Sequence, residues 1–175
     1  MTELAERPIA LVGLMGAGKS ATAHALGERL GAAVADLDAM LVAESGRTIA
    51  EWFASDGEPA FRRHEGVLLR RALAAGARVI ACGGGIVLDP ENRRVLAAEC
   101  RVVWLEVTAA EAARRLRLDA VERPLLAGQA PEPALAQVLA ERRDLYAALA
   151  HQRVATDGLT PEQVAIAVIG GSHAA

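Results

Sequence analysis

The chain contains a single lysine among its 19 basic residues, and that lysine sits in the run Gly13-Leu14-Met15-Gly16-Ala17-Gly18-Lys19-Ser20. Every other basic residue is an arginine. An ammonium is a compact charge on a flexible stem, whereas a guanidinium is a broad planar fork, so the two do not substitute freely. The run has the form G-x-x-x-x-G-K-[ST] of a phosphate-binding loop. Its glycines let backbone N–H groups curl round a polyphosphate, and the helix that follows turns its positive end toward the anion. Lys19 is placed to reach the β- and γ-phosphates, and the Ser20 hydroxyl to ligate Mg²⁺. The apolar run Ile9-Ala10-Leu11-Val12 precedes the loop as a buried strand should. The chemistry implied is binding of a nucleoside triphosphate.

Three further groups could act on a second substrate. Asp36-Leu37-Asp38 follows an apolar run; at a strand end Asp36 can hold Mg²⁺ through water and Asp38 can face an acceptor hydroxyl. Either could instead cap the helix that follows. Gly83-Gly84-Gly85 stands at the end of a later run, where a bare backbone admits close approach of a ligand, or simply a turn. Arginines recur in Phe61-Arg62-Arg63-His64-Glu65, in Glu122-Arg123-Pro124 and in Arg142-Arg143-Asp144. Taken singly they read as solvated side chains, yet arginine is the natural fork for carboxylate or phosphate. The four histidines show no metal spacing. Cys82 and Cys100 form no C-x-x-C pair and read as reduced, buried thiols.

These residues need a scaffold that gathers them, and short aliphatic runs alternating with helical stretches predict a parallel α/β sheet. The strands are expected at Ile9–Val12, Ala33–Asp36, Val79–Ala81, Val102–Val107 and Val154–Ala155. Ligands of such sheets gather at the carboxyl ends of the strands, where the phosphate loop, Asp36-Leu37-Asp38 and the glycine triplet fall. Capping boxes are expected at Thr48/Glu51, Thr108/Glu111 and Thr160/Gln163, and Asp89-Pro90 starts a further helix. Long helices are expected from about Pro59 to Ala75 and from about Pro133 to Ala150. Residues 118–133, with four prolines or glycines and no period, read as a lid, and residues 170–175 as a frayed tail.

Composition narrows the rest. At 175 residues the chain is expected to form one domain. It is 53% hydrophobic but 3% aromatic, so small and branched aliphatics must do the packing. A net charge of −3 gives no general attraction to nucleic acid or to an acidic membrane. Neither an export signal nor a membrane span is apparent, which predicts a cytoplasmic protein, expected to be a monomer.

Taken in order, the phosphate loop, Asp36-Leu37-Asp38, Gly46-Arg47-Thr48-Ile49-Ala50-Glu51-Trp52-Phe53, Asp56-Gly57-Glu58 with Phe61-Arg62-Arg63-His64-Glu65, the glycine triplet, Arg123-Pro124-Leu125-Leu126, and Arg142 before Leu145-Tyr146 resemble the shikimate kinase family. The resemblance covers nearly the whole chain. It implies transfer of the ATP γ-phosphoryl group to the 3-hydroxyl of shikimate. It implies the three-layer fold of nucleoside monophosphate kinases, with a five-stranded sheet in the order 2-3-1-4-5. The nucleotide would be held by Gly16, Ala17, Gly18, Lys19, Ser20 and Ala21, with Arg115 and Arg123. The acceptor would be held by Asp38, Arg62, Gly83, Gly84, Gly85 and Arg142, and Mg²⁺ by Ser20 and Asp36. The residues expected at the chemistry itself are Lys19, Asp38 and Arg123.

The chain departs from the family pattern in two ways. Ala21 stands where the family has Thr, removing a hydroxyl contact. Spacing before Arg123 also differs slightly, and no adenine contact is assigned in Thr156-Asp157-Gly158. Two other readings stay open from sequence: a kinase for another polyol acid such as gluconate, and a nucleotide switch with no acceptor.

Overall fold

The computed structural model describes residue 4, residues 6–117 and residues 130–171. Five parallel strands form one sheet: β1 (Ile9–Val12), β2 (Val34–Asp36), β3 (Val79–Ala81), β4 (Arg101–Glu106) and β5 (Gln152–Ala155). Their order is β2-β3-β1-β4-β5, with Ile9 opposite both Val79 and Arg101. β5 starts two residues earlier than its apolar pair suggests. At this edge Gln152 and Arg153 join through their backbones, opposite Val103 and Trp104, whatever their side chains.

Strand side chains alternate between two apolar layers, as the period of two requires. Ala10, Val12, Ile80, Val102 and Trp104 pack on one face against helices α2 (Leu37–Ser45), α3 (Ile49–Ala74), α4 (Pro90–Glu99) and α6 (Pro131–Leu149). Ile9, Leu11, Val79, Val103 and Leu105 pack on the other against α1 (Lys19–Leu30), α5 (Ala109–Arg117) and α7 (Pro161–Gly170). Small residues such as Ala23, Ala112, Ala113 and Ala165 let helices approach this second face closely. Cys82 and Cys100 are buried free thiols, and burial pushes the Cys100 thiol up to about 12. No helix among the described residues is long and apolar enough to cross a membrane.

Helix starts follow their local chemistry. The capping boxes at Thr48/Glu51 and Thr160/Gln163 both close, and Asp89 caps α4 ahead of Pro90. The Thr108 box closes only halfway. The Thr108 hydroxyl accepts from the Glu111 N–H, but the Glu111 carboxylate turns to Arg114 and Arg115, 2.7–2.8 Å away. Charge-assisted bonds to guanidinium outcompete a neutral N–H, and the Thr108 N–H goes to Asp157 instead. α3 breaks at Gly57, whose φ of 76° is non-helical, so its second segment begins close to the expected Pro59. α6 begins at Pro131, so residues 131–133 belong to a helix. Pro131 stands in its first turn, where N–H groups have no intrahelical partner to lose. Gly170 likewise ends α7 instead of starting a tail. The remaining lid residues 118–129, including Arg123, and tail residues 172–175 lie outside the described residues.

Candidate active site

The phosphate-binding loop leaves the carboxyl end of β1, the central strand. Gly16 and Gly18 both take positive φ, 81° and 84°, a conformation that glycine adopts without steric cost. Gly18 is also the N-cap of α1 and offers no side-chain cap. By contrast α2, α3, α4 and α7 all have side-chain caps. The first N–H groups of α1 are therefore available to an anion, and the helix dipole favours negative charge there. Lys19 Nζ donates to the carbonyls of Gly13 and Leu14, each at 2.9 Å, which fixes the ammonium at the mouth of the loop.

A cleft of about 330 Å³ opens beside this loop. Gly16, Gly18, Lys19, Ser20, Ala21 and Arg115 line it on one side. Asp36, Asp38, Arg62, Gly83, Gly84, Gly85 and Arg142 line it on the other. Among the described residues, Ala17 is the exception to the expected contacts. Its side chain is buried and its N–H donates to Leu14 O at 3.1 Å, so it shapes the loop from beneath.

Asp36, not Asp38, caps α2, accepting the Ala39 N–H at 3.1 Å through Oδ1. Asp38 sits in the first turn of the helix, half-buried and lining the cleft. Ser20 and Asp36 both supply hard oxygen donors to the cleft. Mg²⁺ in such sites keeps several waters and takes one or two protein ligands plus substrate phosphates, so this donor set fits it. No group of three or more metal-ligating side chains occurs among the described residues.

The arginine pairs separate by helical register. Arg62 and Arg142 are 7% and 4% exposed, while Arg63 and Arg143 face outward. Arg62 Nη1 donates to Glu65 Oε2 at 2.7 Å, and its Nε and Nη2 donate to Glu58 Oε1 at 3.2 and 2.8 Å. The Arg142 Nε has no hydrogen-bond partner among the described residues.

Glu65 went unassigned in the sequence and belongs to the site. It is 1% exposed, lines the cleft, and its Oε1 has no hydrogen-bond partner among the described residues. Burial pushes its carboxyl up to about 7, and the nearby Asp38 adds to that. The guanidiniums of Arg62 and Arg142 pull the other way. The available signal was its i+3 spacing from Arg62 on the stripe that continues to Leu69 and Ala72.

The glycine triplet is explained by what crowds it. A Cβ on Gly83 would collide with Glu65 Oε1 and lie 3.1 Å from Asp38 Oδ1. One on Gly85 would enter the Arg62 guanidinium. One on Gly84 would press the phosphate loop, 3.2 Å from Gly13 O. The bare backbone thus makes room for the chain's own charged side chains as well as for a ligand.

Arg115 is tied down beside the loop. Its guanidinium donates to Gly16 O and Thr156 Oγ1, both at 3.2 Å, to Thr156 O at 2.6 Å, and to Glu111 at 2.8 Å. The turn after β5, where no contact was assigned from sequence, therefore flanks Arg115 directly.

The family model for shikimate kinase matches residues 15–170. The shikimate kinase of Streptomyces coelicolor is 45% identical over 161 residues, 92% of each chain. The solved shikimate kinase of Acinetobacter baumannii in complex with shikimate superposes with a TM-score of 0.89. It is 32% identical and the match covers 99% of this chain and 98% of that one. A gluconokinase from Sinorhizobium meliloti, 17% identical with a TM-score of 0.58 and coverage of 94% and 90%, shares the fold alone. With a phosphate loop facing a carboxylate-and-guanidinium wall across one cleft, the chain belongs to the shikimate kinase family.

Proposed function

We propose that this cleft transfers the γ-phosphoryl group of ATP to the 3-hydroxyl of shikimate, giving shikimate 3-phosphate and ADP. The observation that carries the reading is that Lys19 and the acceptor set Asp38, Arg62, Gly84 and Arg142 line one cleft. Transfer passes through a largely dissociative transition state, so the protein positions the reactants and neutralises charge. Lys19 meets the charge on the transferring group. Arg123, carried by the motif Arg123-Pro124-Leu125-Leu126, reaches the ATP phosphates. Mg²⁺, held by Ser20 directly and by Asp36 through water, would neutralise phosphate charge when bound. Asp38 aligns the attacking hydroxyl and accepts its proton. Arg62 and Arg142 hold the acceptor carboxylate, and Glu65 and Glu58 hold Arg62. The Gly84 backbone holds a substrate hydroxyl. Arg115 flanks the nucleotide base.

In this reading the enzyme is a cytoplasmic monomer whose partners are two small molecules. An assay over a panel of sugar acids, with the product's phosphate located by NMR, tests it. Shikimate should be the preferred acceptor, phosphorylated at the 3-hydroxyl. Preferred turnover of gluconate would move the chain to another polyol acid, and tight nucleotide binding without any transfer would make it a switch.

A further inference from the structure

Tyr146 is the one tyrosine in the chain, and its ring is wholly buried. It stacks on Trp104 with centroids 5.7 Å apart and planes 29° apart. Its hydroxyl donates to the carbonyl of Gly84. The guanidinium of Arg142, one turn earlier on α6, lies near the phenol and favours its ionised form, against the effect of burial. A phenol has one hydrogen to give, and here it is committed to the backbone of the acceptor wall. Burial pushes its ionisation up to about 12, which keeps the donor in place.

The position of Gly84 gives this contact its reach. The glycine is wedged between Tyr146 and the phosphate loop, where an added Cβ would meet Gly13 O at 3.2 Å and Met15 N at 3.4 Å. The peptide between Gly84 and Gly85 is planar and trans, so fixing its carbonyl also fixes the direction of the Gly85 N–H. Behind the phenol, Trp104 backs the same loop: its Cδ1 would lie 3.5 Å from a Cβ on Gly13. One side chain therefore stands beside an acceptor-side guanidinium and bonds the acceptor-side backbone, and it does so against the loop that carries the phosphates.

We propose that Tyr146 is a positioning residue that holds the Gly84–Gly85 peptide, beside Arg142, in register with the phosphate-binding loop. It acts through that peptide and not by touching the reacting atoms. The proposal rests on the reading of the cleft given above. A misplacement of about 1 Å at such a site can cost on the order of a hundredfold in rate, while the nucleotide has its own independent cradle.

Tyr146→Phe keeps the ring and its stack on Trp104 and removes only the hydroxyl. The expected result is a fall of about tenfold or more in kcat/KM for shikimate. ADP affinity by calorimetry should stay within about twofold of wild type, because the α1 terminus is untouched. Biosynthetic replacement by 3-fluorotyrosine labels position 146 alone and leaves its shape nearly intact. Its fluorine resonance should shift when shikimate binds and move little with ADP, a readout that a purely structural hydroxyl would not give and that does not require the Phe variant to fold. The proposal is overturned by shikimate constants within about twofold of wild type in the Phe variant, by a resonance indifferent to shikimate, or by ADP affinity falling in parallel. Wild-type turnover run alongside separates the two claims. Failure there counts against the reaction, whereas an unaffected Phe variant beside an active wild type counts against Tyr146 alone.

Discussion

The phosphate-binding loop and the acceptor wall face each other across one cleft but are held by different means. The loop is contiguous: Gly13 to Ser20 supplies its turn, its lysine and the open end of α1. Its cation is fixed by backbone carbonyls. The acceptor wall draws on α2, α3, α6 and the segment after β3, and its charges are fixed chiefly by one another. Arg62 is held by Glu65 and Glu58, Glu65 crowds Gly83, and Arg62 covers Gly85. The loop should therefore respond to changes in one residue at a time. Disturbance in the wall should spread to neighbours, because contacting groups in one network are not additive.

The largest expected effect is on the loop. Lys19→Arg replaces a point charge with a planar fork where two carbonyls already enclose the ammonium. Loss of charge stabilisation at a phosphoryl group costs about 3 kcal/mol or more, roughly a hundredfold in turnover. Steady-state rates check it, and turnover within a factor of a few of wild type would contradict the role of the ammonium.

On the wall, Arg62→Ala removes a partner from a buried ion pair as well as a guanidinium proposed to hold the acceptor carboxylate. Truncations of this kind cost roughly 2–5 kcal/mol, about 30- to 5,000-fold in the shikimate KM. The change should also lower thermal stability, since Glu65 is left buried without its guanidinium. A shikimate analogue with the carboxylate reduced to an alcohol should be rejected by wild type and tolerated relatively better by the variant. Equal discrimination would return Arg62 to a structural part.

Gly85→Ala should be smaller and more selective. The added methyl meets the far end of a flexible side chain, so Arg62 swings aside and the fold loses about 1–3 kcal/mol at most. The shikimate KM should rise while ADP affinity holds. An unchanged KM would show that the guanidinium needs no clear surface there.

The smallest expected effect is one of pH. Glu65 is raised from 4.5 to about 7 in the native state, so between those values the folded protein keeps a proton that the unfolded chain has released. Its stabilising contribution is full below about pH 4.5 and is lost as pH rises through about 7. Denaturant midpoints measured across that window should show this decline in wild type and a flatter profile in Glu65→Gln. Identical profiles would mean that Glu65 titrates as an ordinary exposed carboxylate.

The same contrast explains what could be read from the sequence. The five strands, the caps at Thr48, Asp89 and Thr160, and the phosphate loop are local patterns, and the structure places them within a residue or two of expectation. The burial of Arg62 beside an exposed Arg63 is not local: it depends on which face of α3 meets the sheet. Glu65 escaped notice for the same reason, since a buried carboxylate looks identical in sequence to a solvated one. The glycine triplet was legible as a place for close approach. That its first and third members yield to Glu65 and Arg62 follows only from the packing of α3. Competition between partners misled at Thr108, where Glu111 had guanidiniums to prefer.

The central claim is that the two sides of the cleft bind different substrates independently, and Arg142→Ala tests it most directly. This side chain lies on the acceptor wall and is 4% exposed. Initial rates should be measured for wild type and variant over a grid of ATP and shikimate concentrations. The expected result is a shikimate KM raised about 30-fold or more with the ATP KM within about twofold. A parallel rise in both constants, or none in either, would contradict the division of the cleft into a nucleotide loop and an acceptor wall.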